Sequence, residues 1–390
     1  MLRFLLLLIV VGALTGYVYK IMLMWDVNKR VYNHKPGPCR TVEGVGECPV
    51  IGQLLRSRKE YGSEDIAVIE EEGIAFITSG IYYMAPRGKN VTGQIFLYDF
   101  NQEGAWKAEP LTIKGDFDQE NFHPHGISHI VTALGIIRLF VINHSNSFKH
   151  SVIVLEWYHR TRELGLIKII EDERFIRPNN LVAVSENTFI LSNDGSSQSS
   201  HLNMLEVLSM YPFGSIVFYD GKTRSNFYYW NLALKVSHWL KSSAISPNGI
   251  ALDRERTHLI VSHFNSEMIS VYNISEDYGS LSHVADIPLL TSPDNLYVDK
   301  TGAVWTGTHP VIKDAFKHLG DCENLNYYAP SQVLRIVFSE GYRSWEITEP
   351  FADDGRFISA SSVAVPFNKQ LLIGSICRQL VHCDIVPETI

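Results

Sequence analysis

Five short polar pairs in this chain carry the residue types of a metal-assisted hydrolytic centre. They are Glu64-Asp65, His125-Gly126, Asn179-Asn180, Asn248-Gly249 and Asp294-Asn295, each placed just before an apolar run. Glu64, Asn179, Asn248, Asp294 and Asn295 offer side-chain oxygens, and Glu64 and Asp294 among them are carboxylates. A hard cation such as Ca²⁺ takes about six to eight oxygens, mixing carboxylates with amide carbonyls. These five residues, completed by carbonyls or water, match one divalent ion in both ligand type and charge. A single Asn or Asp before a strand is ordinarily a turn former. The same placement recurring in several units points to a shared centre instead.

Histidine adds acid–base chemistry. His125 lies in Phe122-His123-Pro124-His125-Gly126-Ile127-Ser128, and His144 ends the next apolar run. A histidine pair beside a metal can serve as general base and proton shuttle while the metal polarises a carbonyl. His309, in Gly307-Thr308-His309-Pro310, is a third candidate for the pocket rim. The chain has no Gly-x-Ser-x-Gly elbow and no glycine-rich phosphate loop, so metal-first hydrolysis fits better than a covalent serine mechanism.

The elements that would bring these pairs together are short strands. From about Ser63, triplets of apolar runs recur over 64–99, 125–156, 179–220, 248–272, 294–336 and 361–383. The openings lie roughly 50 to 70 residues apart, the span of a four-stranded blade with its loops. β-branched and aromatic residues dominate the runs. The expected fold is therefore all-β, a six-bladed β-propeller preceded by an N-terminal hydrophobic (signal-anchor) helix. Inner strands line a propeller's channel, so the polar pairs converge near its axis. Helical spacing is expected only in the N-terminal segment, Ser200 to Tyr211 and Trp230 to Leu240.

The chain has 390 residues and a net charge of −8. This mild acidity disfavours a nucleic-acid partner, which needs a basic face. The five cysteines are Cys39, Cys48, Cys322, Cys377 and Cys383, without a Cys-x-x-Cys pair, which argues against structural zinc. A disulfide between Cys39, before the first blade, and Cys383, at the end of the last, would clamp the ring; Cys48 is a competing partner.

Phe4 to Tyr19 is uncharged, and Leu2 to Trp25 would just span a bilayer with Lys20 snorkelling. The alternative is a cleaved signal peptide, with Ala13-Leu14-Thr15 before Gly16 as the cleavage site. Either route leads to the secretory pathway: a membrane-anchored protein with a lumenal or extracellular propeller (endoplasmic reticulum or plasma membrane), or a secreted one. Sequons at Asn90, Asn143 and Asn273 agree, whereas Lys20, Lys29 and Arg30 after the apolar run favour the opposite orientation. Asn90 and Asn273 are the expected glycan carriers. Asn143, beside His144, is expected to be buried and unmodified. The chain divides into an anchor or signal at 1–25, a lead-in at 26–62 and the propeller at 63–390.

Taken together, Gly62-Ser63-Glu64-Asp65, Pro124-His125-Gly126-Ile127-Ser128, Val141-Ile142-Asn143-His144, Ser246-Pro247-Asn248-Gly249-Ile250, Asp294-Asn295 and Thr308-His309-Pro310 resemble the paraoxonases, calcium-dependent lactonases and arylesterases. The likeness covers about Cys39 to Asp384. It implies a six-bladed propeller with two channel calcium ions, a disulfide between chain ends and an often uncleaved N-terminus. The catalytic calcium would be held by Glu64, Asn179, Asn248, Asp294 and Asn295, all of which match the family pattern. The second calcium would use Asp65, the Ile127 carbonyl and a carboxylate where this chain has Asn180, so that site is expected to be weak or empty. The dyad maps to His125 and His144, and its acidic neighbour to Asp194. Gly195 stands where the family usually has histidine, and His123 where it has asparagine. The pocket loops at 196–211 and 311–331 diverge, the second as an insertion carrying Cys322.

The resemblance implies a hydrolase of small-molecule carboxylic esters or lactones. Divergent membrane-anchored nematode members of the family instead assist assembly of degenerin-type sodium channels. The alternative is thus a non-catalytic membrane chaperone with a membrane-protein partner. A weaker third idea is a secreted propeller that only binds ligand.

Overall fold

The computed structural model describes residues 2–24, 39–41, 62–81 and 93–385, apart from 104–105, 117, 146–148, 199–201, 203–204, 207–211, 222–235, 323 and 325. Six sheets, antiparallel but for one short edge strand, follow one another along the chain. Their inner strands are Ile66–Ile69, Pro124–Val131, Pro178–Ser185, Pro247–Leu252, Ser292–Val298 and Ser361–Phe367. The six repeated triplets are therefore the blades of a β-propeller. Blade two adds a short strand, Ile113–Lys114, parallel to Glu163–Ile170.

Period-two alternation builds the ring. Along Ile66–Ile69 the side chains alternate between two cores: Ile66 and Val68 pack toward blade six, Ala67 and Ile69 toward blade two. The same holds around the ring, so the apolar clusters lie between blades rather than on the axis. Phe96, Phe140 and Phe189 are fully buried in these interfaces. Each such side chain contributes roughly 1.5–3 kcal/mol on burial.

Blade six is completed from the other end of the chain. Cys39–Thr41 pairs antiparallel with Leu380–Asp384 as its outermost strand, with Cys39 opposite Cys383. Cys383 is disulfide-bonded. Chain-end closure thus combines a shared sheet with covalent linkage at Cys383. Cys48 lies outside the described residues.

One expectation of helix changes. Val236–Ala244 is the outer strand of blade three, hydrogen-bonded to Gly214–Asp220, where helical spacing was expected over Trp230 to Leu240. Register shifts beside Ile216 and Val217 break strict alternation there, and the exposed outer face tolerates Trp239. In 200–211 the described Leu202, Leu205 and Glu206 are helical. The insertion at 311–331 contains a helix, Ile312–Leu319, and is tied to blade six by a disulfide between Cys322 and Cys377. At the N-terminus, Leu2–Met24 is helical with exposed apolar side chains, including Phe4, Leu5 and Ile9. Among the described residues no helix is long and apolar enough to cross a membrane.

Candidate functional site

Four of the inner strands open with the same word: Pro124-His125-Gly126-Ile127, Pro178-Asn179-Asn180-Leu181, Pro247-Asn248-Gly249-Ile250 and Pro293-Asp294-Asn295-Leu296. In each, strand register shifts between the proline and the aliphatic residue. Proline donates no backbone hydrogen bond, and a bulge re-aims the residues beside it. The two polar residues thereby leave the ladder. This word, proline, a polar residue, a glycine or second polar residue, then an aliphatic, was the sequence signal for the site that strand patterning alone passes over.

Glycine lets neighbouring blades approach. A Cβ on Gly126 would lie 2.7 Å from the Asn179 carbonyl oxygen, and one on Gly249 2.5 Å from that of Asp294. Serine hydroxyls fix carbonyls of the polar openings: Ser192 donates to Asn248 O at 2.5 Å and Ser262 to Asp294 O at 2.6 Å. Ser362 does the same for Glu64 O at 2.6 Å. Sequence reasoning missed these serines, which carry no motif of their own.

The polar openings meet across the channel. Asn295 Nδ2 donates to Glu64 Oε1 at 2.7 Å. Asn180 Nδ2 donates to Asp65 Oδ2 at 3.1 Å and to Asn295 Oδ1 at 2.5 Å. Blades one, three and five are thus linked. Asp294 Oδ2 lies 3.0 Å from His309 Nε2. Glu64, Asp65, Asp294 and Asn295 are each at most 3% exposed.

Such burial is hard on carboxylates. It pushes the Asp65 carboxyl up to about 7, with Glu64 adding to the rise. Burial also raises Asp294, against the lowering effect of His309. Among the described residues, three buried oxygens from three blades, Glu64 Oε2, Asn179 Oδ1 and Asn248 Oδ1, have no hydrogen-bond partner. Orphaned oxygens beside crowded carboxylates form a donor set suited to a hard cation. Asp65 and Asn180 differ. Asp65 accepts from the backbone N–H of Ile66 and Ile127, both at 2.9 Å, and Asn180 Oδ1 accepts from Leu181 N at 2.6 Å. Their oxygens thus already accept hydrogen bonds within the protein, unlike the three orphaned ones.

The histidines form a chain. His125 Nε2 lies 3.3 Å from Glu64 Oε1, and His125 Nδ1 lies 2.8 Å from His144 Nε2. His144 Nδ1 in turn lies 2.9 Å from His150 Nδ1. Burial disfavours charge on His125, but Glu64, Asp194 and Asp294 together raise its pKa above the ordinary value. Burial and the neighbouring His125 hold His144 well below its ordinary value. His150 is lowered to about 4, by burial and then by His125 and Arg177.

Asp194 is near enough for its charge to raise His125, yet its carboxylate is ion-paired with Arg177 Nε at 2.9 Å. Arg177 also meets Glu206 at 3.1 Å. Neither Arg177 nor His150 was anticipated from the sequence. Asn143 is buried, accepting from His123 N at 2.7 Å and donating to Asn121 O at 3.1 Å. Asn273 is exposed, and Asn90 lies outside the described residues. On the same face, Phe264 packs against His309 and against Phe316 of the helix in the insertion, with ring centroids 5.2 and 6.1 Å apart.

These features define a six-bladed β-propeller with a buried, oxygen-lined polar centre flanked by histidines. The chain belongs to the arylesterase family, whose sequence model matches residues 47–385. It is 31% identical to Mechanosensory abnormality protein 6 of Caenorhabditis elegans, covering 96% of this chain and 93% of that one. It is 30% identical to serum paraoxonase/arylesterase 2 of Gallus gallus over 84% of this chain and 86% of the relative. Human serum paraoxonase/lactonase 3 is 29% identical over 91% and 94%. Among solved structures, a luciferin-regenerating enzyme shares the fold at 11% identity and a TM-score of 0.52, covering 90% of this chain and 96% of that one.

Proposed function

We propose that this protein is a calcium-dependent hydrolase of carboxylic esters and lactones. The observation that carries the reading is the set of orphaned buried oxygens, Glu64 Oε2, Asn179 Oδ1 and Asn248 Oδ1, beside the His125–His144 pair. Membership of the arylesterase family supports it. Glu64, Asn179, Asn248, Asp294 and Asn295 would hold the ion, which supplies Lewis-acid polarisation of the substrate carbonyl when bound. His125, whose ring lies between Glu64 and His144, would take the proton of the attacking water. His144 holds the His125 ring in place. Phe264 and Phe316 supply apolar surface for an aryl or alkyl group.

Purified protein should hydrolyse phenyl acetate or a δ-lactone. Chelation should abolish turnover, and added calcium should restore it. His125→Gln should reduce kcat by roughly 10²-fold or more, the range of general-base catalysis. Undiminished turnover after exhaustive chelation overturns the mechanism.

A second reading, a membrane-tethered accessory protein without turnover, is favoured by the likeness to Mechanosensory abnormality protein 6 and by the apolar helix Leu2–Met24. It places the propeller in the lumen or outside the cell, with Asn273 as an accessible glycan site. Under it, His125→Gln leaves function in the animal intact while removal of residues 1–25 does not.

A further inference from the structure

We propose that His318, Cys322 and Cys377 form a zinc site when the disulfide between the two cysteines is reduced. The insertion is then held to blade six by a covalent bond in one redox state and by a metal ion in the other. The site involves none of the proposed calcium ligands, and the inference stands whether or not the protein is a hydrolase.

The donor set is the first support. An imidazole and two thiolates suit zinc, with water as a fourth ligand. A ring nitrogen of His318 and the two Sγ atoms all lie within 4.8 Å of one another. Tetrahedral zinc with these ligands needs its donor atoms roughly 3.5–3.8 Å apart. Once the sulfur–sulfur bond is gone, the sulfurs need only part slightly to reach that spacing. His318 and Cys322 are four residues apart, while Cys377 comes from the next blade. A search for Cys-x-x-Cys therefore passes the group over.

The second support is the state of the histidine. His318 Nδ1 lies 2.7 Å from the Tyr327 carbonyl oxygen, which can only accept, so Nδ1 carries the proton. A neutral ring protonated there has its lone pair on Nε2. That nitrogen is buried and has no hydrogen-bond partner among the described residues. Metal-binding histidines ordinarily show this arrangement, one ring nitrogen donating to a carbonyl and the other left for the ion. Burial lowers His318 to about 4, so the lone pair is available near pH 7.

The surroundings fit as well. His318, Cys322 and Cys377 are each at most 2% exposed, and Ala315, Leu319 and Ala329 pack around the cysteines. Arg378 follows Cys377 and its Nε donates to the Cys322 carbonyl oxygen. A guanidinium this close favours thiolates, and two thiolates neutralise one zinc ion. In the reaction a dithiol gives two electrons and two protons to the Cys322–Cys377 bond and is itself oxidised to a disulfide. The bond breaks into two thiols. Zinc then binds both sulfurs and His318 Nε2, and the two thiol protons leave to water. Asn326 and Tyr328 of the same loop are exposed, which gives reductant and ion an approach from solvent.

The test uses the full chain in saturating calcium, zinc ions alone as the probe and a phosphine reductant, which has no thiol to compete for metal. Equilibrium dialysis should find no zinc on the oxidised chain and one ion per chain after reduction. Cobalt in place of zinc should give the reduced chain a thiolate-to-metal charge-transfer band. His318→Gln keeps the disulfide, so its folding is checked in the oxidised form before reduction. It and the double variant Cys322→Ser, Cys377→Ser should each weaken zinc binding beyond the roughly 100-fold that loss of a partner behind a ligand costs. Zinc should raise the urea midpoint of the reduced wild type and leave that of reduced His318→Gln where it is. A reduced wild type that takes up no zinc overturns the proposal, whether or not it stays folded. So does uptake that reduction does not increase, a cobalt complex without the thiolate band, or zinc retained by either variant, which would place the ion on other residues.

Discussion

Asn180 Nδ2 donates to Asp65 Oδ2 at 3.1 Å in the middle of the channel, and the same amide reaches Asn295 Oδ1. An N–H group thus occupies the gap between oxygens where a cation would otherwise sit. An amide donor aimed at Asp65 satisfies it without bringing charge. Equilibrium dialysis should accordingly find one calcium ion per chain. Asn180→Asp removes the donor, adds a carboxylate next to Asp65 and should raise the count to two. A wild-type stoichiometry of two would sink the idea that Asn180 closes the second site.

Gly249 is held against the next blade, where a Cβ would lie 2.5 Å from Asp294 O and 2.7 Å from Asn295 Cα. Both obstacles are backbone, so neither can swing aside. Gly249→Ala should lower stability by about 1–3 kcal/mol, the usual range for overpacking. It should also weaken calcium binding, because Asn248 and Asp294 are the residues pushed apart. Denaturant midpoints with and without calcium separate the two effects. A variant as stable and as tight-binding as wild type would show that the blades can relax around the extra methyl.

Much of this was legible in the sequence, and for a physical reason. Runs such as Leu259-Ile260-Val261 announce strands because each residue must face an inter-blade core, and six such triplets define the ring. The convergence of Glu64, Asn179, Asn248, Asp294 and Asn295 on one centre was legible because they stand at the openings of inner strands, whose place is fixed by topology. His150 and Arg177 were not, since what gives them a role is a partner on another strand: His144 across a hairpin, Asp194 across a bulge. Cys322 could not be matched to Cys377 from sequence, because only the folded insertion brings blade five's loop to the end of blade six. Trp230 to Leu240 misled because a bulged outer strand breaks the alternation on which strand reading depends.

The disulfide between Cys322 and Cys377 closes a loop with a sequence separation of 55 residues. Chain-entropy reasoning gives about 4 kcal/mol for a loop of that length. Cys322 and Cys377 are also buried with Ala315 and Leu319 of the helix that carries Phe316. The double variant Cys322→Ser, Cys377→Ser should unfold at lower denaturant and raise KM for bulky aryl esters more than for small lactones. Equal changes for both substrate types would mean that the helix does not shape the pocket.

Acid should destabilise the propeller through buried histidines outside the proposed ligand set. Burial lowers His263 and His318 to about 4 in the folded protein, while each ring also touches a backbone carbonyl, that of Ile245 or Tyr327. In the unfolded chain both titrate near 6.5. Between these values the unfolded state binds more protons, so stability is full above the unfolded pKa and is lost as pH falls toward the folded one. For His318 the loss should be about 2 kcal/mol between pH 7.5 and 5. Asp65, held up at about 7 by burial and by Glu64, acts in the opposite sense, so the wild-type slope alone mixes the two. Comparing the slope with that of His318→Gln isolates the histidine. Urea midpoints measured from pH 7.5 to 5 in a fixed excess of calcium should fall less steeply in the variant. Parallel slopes would show that His318 is protonated within the fold, and its burial would then no longer explain any acid sensitivity.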